Sequence, residues 1–236
     1  MSELRSKAET QGIRIERIKL AFSNAYILSG DRMVLVDTGS PGDDQQILEA
    51  LEKCGLDRLW LILLTHAHSD HAGACSVLKQ RTGVPVALGR GDVLRARSGR
   101  NGPLPPTRLM ARLLTPIVDK PFQPITPDLL IDDSLDLHAF GLDATVIATP
   151  GHTAGSLSIV CSNGEAVVGD ILMGGHMGGA ILPHVPNRHY FVEDAKQNLA
   201  SLDCVLSHRP TRLHVGHGGP LEATRVAVWR QRQSAD

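Results

Sequence analysis

Long apolar runs are missing from this chain. No window approaches the ~20 apolar residues that a membrane helix needs, so no helical span is expected. Cysteine is sparse and scattered: Cys54, Cys75, Cys161 and Cys204 form no CxxC pair. That disfavours a zinc ribbon or a disulfide framework and suits reduced thiols. An excess of either charge is also lacking. Twenty-four Lys and Arg face 25 Asp and Glu, giving a net charge of −1, and no run of five like charges occurs. Nothing therefore advertises nucleic acid or an anionic membrane surface as partner. The N-terminal stretch MSELRSKAETQGIRIERIKL scatters its charges and has no apolar core of signal-peptide type. The expected location is the cytoplasm. What the chain does have is 42 % apolar residues over 236 positions, enough to bury a sizeable core.

Patterning along the chain alternates between strand and helix. Ile13 to Leu20 alternates with a period of two, Ala25–Leu28 and Met33–Val36 suggest a hairpin, and Leu59–Leu64 reads as a strand buried on both faces. Asp43 to Lys53 has helical spacing with Gly55 as its stop, and His71 to Arg81 is read as one helix. Further strands are expected at Val84–Leu88, Leu142–Ala148, Ser156–Cys161, Ala166–Val168 and Arg212–Val215. Helices are expected at Phe191–Leu206 and Leu221–Arg232. Two comparable halves of strands and helices make a single layered α/β domain over residues 1–236 the natural architecture. Residues 90–127 differ. Proline is dense there, with Arg95, Arg97, Arg100, Arg108 and Arg112 between short helical pieces, so the segment reads as an insertion over one end of the core, lid or decoration. The bland reading of those arginines, a solvated face, is preferred to an anion site.

The stretch Thr65 to Gly73, THAHSDHAG, places His66, His68, Asp70 and His71 within six residues. A polar surface loop is the simplest account. Yet residues i and i+2 of an extended segment project to one side, so His66 and His68 can grip one ion together. Asp70 and His71, where the chain turns into a helix, point elsewhere and suit a second. Three other strand ends also deliver donor types: His152 in TPGHT, Asp170 in VGD, and His217 in HVGHG. Imidazole and carboxylate donors favour zinc, with iron or manganese as alternatives. Four strand ends doing the same thing defeat the surface-loop reading. A structural zinc site is disfavoured because no cysteine falls in any of the four motifs.

THAHSDH followed in order by TPGHT, GD and VGHG resembles the metallo-β-lactamase-fold superfamily of metal-dependent hydrolases, from Val36-Asp37-Thr38-Gly39 through His217. The resemblance implies an α/β fold, the four-layer αββα sandwich, with two divalent metal ions, zinc by expectation. It implies that His66, His68 and His152 hold one ion and Asp70, His71 and His217 the other, with Asp170 bridging. Asp37 would support the site by hydrogen-bonding a ligand or loop, or else be a turn-forming residue. His214 is expected to be a core histidine, and His176, His184 and His189 to be loop or substrate-facing residues rather than ligands.

Such a pair of ions implies hydrolysis by a metal-bridged hydroxide, with Asp70 orienting the solvent and passing a proton to the leaving group, and Asp170 as the second catalytic carboxylate. The substrate expected is a small-molecule thioester, ester or lactone. Within the superfamily, glyoxalase II shares the ligand set, but little room follows His217 for its C-terminal helical region. Lactonases carry a tyrosine just after the bridging aspartate that is absent from Asp170-Ile-Leu-Met-Gly-Gly, and Tyr190 cannot be assumed to replace it. A mono-iron sulfur dioxygenase is the alternative, ahead of a nuclease or a non-catalytic metal-binding module. Residues 90–127 and 171–192 adjoin the ligand loops and are expected to wall the substrate pocket.

Overall fold

The computed structural model describes residues 12–233. The N-terminal segment before Gly12, and with it most of the stretch read as lacking a signal sequence, lies outside the described residues. The chain begins with an antiparallel meander, β1 (Arg14–Lys19), β2 (Asn24–Ser29) and β3 (Met33–Val36). There follow α1 (Asp44–Cys54), β4 (Leu59–Leu63), α2 (Ser69–Ala72), α3 (Cys75–Thr82) and β5 (Val86–Gly89). A crossover carrying α4 (Val93–Ser98) and α5 (Leu109–Val118) then leads to β6 (Leu129–Ile131). These strands form one sheet in the order β1-β2-β3-β4-β5-β6, parallel from β3 onward.

The second sheet comes from β7 (Ser134–Asp136), β8 (Ala144–Ala148), β9 (Leu157–Cys161) and β10 (Glu165–Val167), then, past a separate ribbon of β11 (Met173–His176) and β12 (Ile181–Asn187) and the helix α6 (Ala195–Ser207), from β13 (Arg212–His214) and β14 (Leu221–Glu222). Helix α7 (Ala223–Arg230) follows. The sheet order is β14-β13-β10-β9-β8-β7.

Alternation along the strands decides the layers. Ile27, Leu35 and Ile62 point to one side and pack with Ile47, Leu51 and Leu78 of α1 and α3. Their neighbours Tyr26, Leu28, Val34 and Leu63 point to the other side and meet Val146, Ile159 and Val167 of the second sheet. That sheet's outer face, Ala166 and Leu213, is covered by Leu202 and Val205 of α6 and Val226 of α7. The result is the four-layer αββα sandwich. Each fully buried Leu, Ile or Val stabilises it by about 1.5–3 kcal/mol, and a one-residue register slip would turn every such side chain to the wrong layer.

The structure departs from the sequence expectations in four places. The single helix expected over His71–Arg81 is two, because Gly73 packs so tightly on Pro41 and the Ser69 carbonyl that no side chain fits, and its N–H bonds to Gly39 rather than continuing a helix. The helix expected from Phe191 starts at Ala195, capped by Asp194, whose side chain accepts from the Gln197 N–H. The terminal helix yields its first two residues to β14. Residues 171–192 are not irregular: β11 and β12 form a ribbon with a bulge between Gly174 and His176. Glycine and proline masked it. Pro183 and Pro186 are tolerated because the two-stranded ribbon is all edge.

Candidate metal centre

Five chain segments that follow strand ends converge on one point between the sheets. Asp37 leaves β3 in a left-handed conformation (φ 61°), one that Asp tolerates better than most side chains. Its Oδ1 accepts the Thr65 N–H at 2.7 Å, and its Oδ2 accepts both the Thr65 hydroxyl at 2.8 Å and the His71 Nδ1–H at 2.8 Å. Because the hydroxyl's single proton goes to Asp37, the His66 Nδ1 3.1 Å from that hydroxyl oxygen is the donor there. His152 Nδ1–H donates to the Phe191 carbonyl at 2.9 Å and His217 Nδ1–H to the Phe22 carbonyl at 2.7 Å. Each of these four imidazoles thus has its Nδ1 proton fixed by an acceptor and turns its Nε2 inward, the arrangement that orients metal-binding histidines.

The inward atoms crowd together. Asp170 Oδ2 has five imidazole Nε2 atoms around it: His189 and His217 at 3.2 Å, His71 at 3.4 Å, His152 at 3.6 Å and His66 at 3.8 Å. His152 Nε2 lies 3.2 Å from His66 Nε2 and 3.0 Å from His68 Nδ1. Asp70 Oδ2 stands 3.4 Å from His217 Nε2 and 3.9 Å from His71 Nε2. The seven sequence-predicted donors therefore come together, grouped as His66, His68 and His152 on one side and Asp70, His71 and His217 on the other, with Asp170 between.

Protonation follows from these surroundings. Burial, reinforced by neighbouring imidazoles, holds His66 and His152 well below the usual histidine range, and burial brings His68 down to about 4. Burial opposes charge on His71 and His217 too, but the carboxylates of Asp170 and Asp70 override it and raise both. The same attraction outweighs burial at Asp170, held well below the carboxylate range by His217, His189 and His71. His66 and His152, both neutral with their protons on Nδ1, face each other with Nε2 lone pairs at 3.2 Å, a poor arrangement without a shared cation. His68 Nε2, His71 Nε2 and Asp170 Oδ1 are moreover buried with no hydrogen-bond partner, an expensive condition that a cation at the centre relieves for those of them that face it. The residues fit divalent metal.

Backbone fit is equally tight. A Cβ on Gly216 would collide with the Asp170 carboxylate and the His71 ring, which explains why glycine precedes His217.

Two residues escaped the sequence reading, and a third is placed more deeply than expected. His189, expected on a loop or facing substrate, lines the cavity but lies buried against Asp170, its ring 4.6 Å from that of His152. Its Nδ1 lies 3.0 Å from the Phe191 carbonyl oxygen and 3.3 Å from the Phe191 N–H, so the one ring proton sits on Nε2 when Nδ1 accepts that N–H. Asp92 is completely buried and accepts from Ala67 N–H at 2.9 Å, Thr153 Oγ1–H at 2.8 Å, Gly155 N–H at 3.1 Å and Arg95 at 2.7 Å. It ties the HAH turn to the TPGHT turn. Asn101 Oδ1 accepts the Ser69 N–H at 2.7 Å. Polar residues flanking predicted helices were the only signal for Asp92 and Asn101, and it was too weak to single them out. Among the remaining histidines, His214 is a buried residue bonded to Glu165 at 2.6 Å, away from the centre, while His176 and His184 are exposed.

A cavity of about 310 Å³ opens over the centre, floored by His68, Asp70, Asp170, His189 and His217. Its walls come from positions 101–118 and 173–191 together with Phe22, inside the two segments expected to wall it.

A family model for the metallo-beta-lactamase superfamily matches residues 18–217. The chain belongs to that superfamily. Membership makes it a metal-dependent hydrolase with the αββα fold. Among its relatives, a probable metallo-hydrolase of Methanocaldococcus jannaschii is 28 % identical, with 83 % of this chain and 87 % of that protein aligned. A hydroxyacylglutathione hydrolase of Albidiferax ferrireducens is 32 % identical over 78 % of this chain and 57 % of its own length. Among solved structures, the BLEG-1 B3 metallo-beta-lactamase superposes with a TM-score of 0.65 at 23 % identity, covering 90 % of this chain and 95 % of that one. The protein TTHA1623 in a di-iron-bound form gives 0.63 at 26 %, covering 91 % and 96 %. No helix among the described residues is long and apolar enough to cross a membrane.

Proposed function

We propose that this superfamily member hydrolyses a thioester, ester or lactone of a small molecule at a centre of two zinc ions. His66, His68 and His152 would hold one ion, Asp70, His71 and His217 the other, and Asp170 both. The observation that carries this reading is the gathering of five imidazole nitrogens within 3.8 Å of Asp170 Oδ2 at the floor of an open cavity. Ions bound there would acidify a water and polarise the scissile carbonyl.

The chain's own groups divide the remaining work. Asp70 is the only partly exposed donor of the seven and lines the cavity, so its carboxylate can accept a hydrogen bond from attacking water and return the proton to the leaving group. Burial opposes its ionisation, but His71 and His217 keep its pKa below the usual value, so it works as an acceptor at neutral pH. His189 faces the same space and, with its proton on Nε2 while Nδ1 accepts the Phe191 N–H, would donate to a substrate oxygen. Asp37 and Asp92 hold the turns that carry the ligands. The hydroxyacylglutathione hydrolases among the relatives support the thioester as the first bond to try.

Elemental analysis of protein purified without added metal, followed by a thioester, ester and lactone panel, tests this. Two zinc ions per chain with turnover of one of those bonds is the expected result. A single iron per chain with oxygen uptake would replace the proposal with the sulfur dioxygenase alternative.

A further inference from the structure

The reacting bond leaves the body of the substrate unspecified, and the cavity bears on it. Above its polar floor the walls are apolar: Leu114, Ile117 and Val118 of α5 on one side, and Met173, Met177 and Phe191 on the other. Among the described residues no Lys or Arg lines it. Two arginines of the 90–127 segment are committed elsewhere, while Arg100 and Arg112 are exposed and outside the lining. Arg95 is ion-paired with Asp92 and Glu193, and Arg108 lies over the Tyr190 ring and donates to the Arg188 carbonyl at 2.6 Å. A substrate body bearing carboxylates would find no Lys or Arg on the walls and would meet Asp70 on the way in.

The rim extends the pattern. Fourteen large apolar side chains are exposed among the described residues, and ten of them sit at Phe22, on α5 and on the β11–β12 ribbon. That concentration marks a binding surface, since single exposed apolar residues are ordinarily scattered. On α5, Leu109, Met110, Leu113 and Ile117 form one outward stripe, at 56–77 % exposure. In the ribbon, Met177 and Leu182 keep left-handed backbone (φ 51° and 52°), a strained conformation for such side chains, and both remain exposed. Strain of this kind persists mostly where a site requires it. Ile117, Val118 and Met177 belong to both cavity and rim, so the two surfaces are continuous.

We propose that the substrate carries an uncharged, flexible apolar chain, a medium-length acyl or alkyl group, that fills this cavity and leaves across the rim between α5 and the ribbon. A volume of 310 Å³ takes on the order of ten heavy atoms, reacting group included, at the ~30 Å³ a water occupies. The inference rests on the hydrolase reading above. It differs from a glutathione thioesterase in placing no anion in the pocket.

The test uses the metal-loaded full chain and N-acetylcysteamine thioesters of straight acyl groups from two to twelve carbons, with S-lactoylglutathione alongside. The value of kcat/KM is expected to rise about fourfold per methylene until the cavity is full, then level off, with the glutathione thioester below the octanoyl compound. In the double variant I117Q/M177N, two exposed positions, the slope against chain length flattens. A flat or falling series, or a glutathione thioester better than octanoyl, overturns the inference while leaving the hydrolase reading intact. Calorimetric binding of non-hydrolysable S-alkyl-N-acetylcysteamines separates the two readings. Affinity that grows with alkyl length without turnover of any ester, thioester or lactone would uphold the apolar pocket and reject the hydrolase. Length-independent binding would reject the pocket.

Discussion

Asp37 Oδ2 accepts the Nδ1 proton of His71 at 2.8 Å, and through this bond a residue outside the donor set orients one inside it. Because the same carboxylate also takes the Thr65 N–H and hydroxyl, it locks the exit of β4 to the start of α2. Substituting Asp37→Asn puts an amide N–H against one of these three donors. We expect a 10–100-fold loss in metal affinity, read by chelator competition, with helical content preserved. Unchanged affinity would reduce Asp37 to a turn residue.

His189 makes the closest approach to Asp170 Oδ2, jointly with His217, at 3.2 Å. Six other donors already form two sets of three around Asp170, and His189 lines the cavity. The variant His189→Ala should therefore keep two ions per chain and lose roughly 10²–10³ in kcat, the effect of removing a donor to a developing oxyanion. A variant that bound one ion fewer would make His189 a ligand instead.

Asp92 connects two ligand-bearing turns from within the 90–127 segment, so that segment is part of the site's scaffold. The change Asp92→Ala strands the Ala67 and Gly155 N–H groups and unpairs Arg95. Breaking a buried pair this way costs about 3–5 kcal/mol, which lowers Tm by roughly 10 °C in a domain of this size. Thermal melts of metal-loaded and metal-stripped protein check it; a shift under 2 °C in both, about 1 kcal/mol or less, would mean the turns stand without Asp92.

The residues that were legible and those that were not differ in physical kind. His66, His68, His152, Asp170 and His217 could be read because each follows an apolar strand, where a polar donor interrupts a regular pattern. The layers could be read because period-two alternation in β1–β4 and the runs of β8–β10 leave one arrangement that buries them. His189 lies after a ribbon whose strands contain Gly174, Gly175, Pro183 and Pro186, residues that ordinarily signal turns, so nothing announced a strand delivering it to the centre. Asp92 was hidden differently: an Asp before a short helix reads as a cap, yet its side chain caps nothing there and reaches across the fold instead. Long-range hydrogen bonding leaves no local trace.

Burial sorts the thiols. It pushes both the Cys75 and Cys161 thiols up to about 12, while Cys204 is exposed and Cys54 is partly buried. At pH 8 iodoacetamide should modify Cys204 in the native protein and spare Cys75 and Cys161 until denaturant is added, because the thiolate is the nucleophile. Peptide mass mapping before and after unfolding decides it. Native modification of Cys75 at a rate comparable to Cys204 would contradict the packing of α3 against the first sheet.

His214 offers a pH dependence that is separate from the metal ligands. Burial lowers its pKa, helped by Arg212 and Arg17, although Glu165 at 2.6 Å pulls the other way. The folded state thus prefers neutral His214, whereas the unfolded chain binds a proton near pH 6.5. The stabilisation is fully present above that value and is lost as pH falls toward the lower folded pKa, at up to ~1.4 kcal/mol per pH unit for one proton. Urea midpoints at pH 7.5, 6.5 and 5.5 should therefore fall faster for the wild type than for His214→Gln, since every other titrating group is common to both. Parallel midpoints would show that His214 keeps its proton affinity on folding, with Glu165 cancelling the effect of burial.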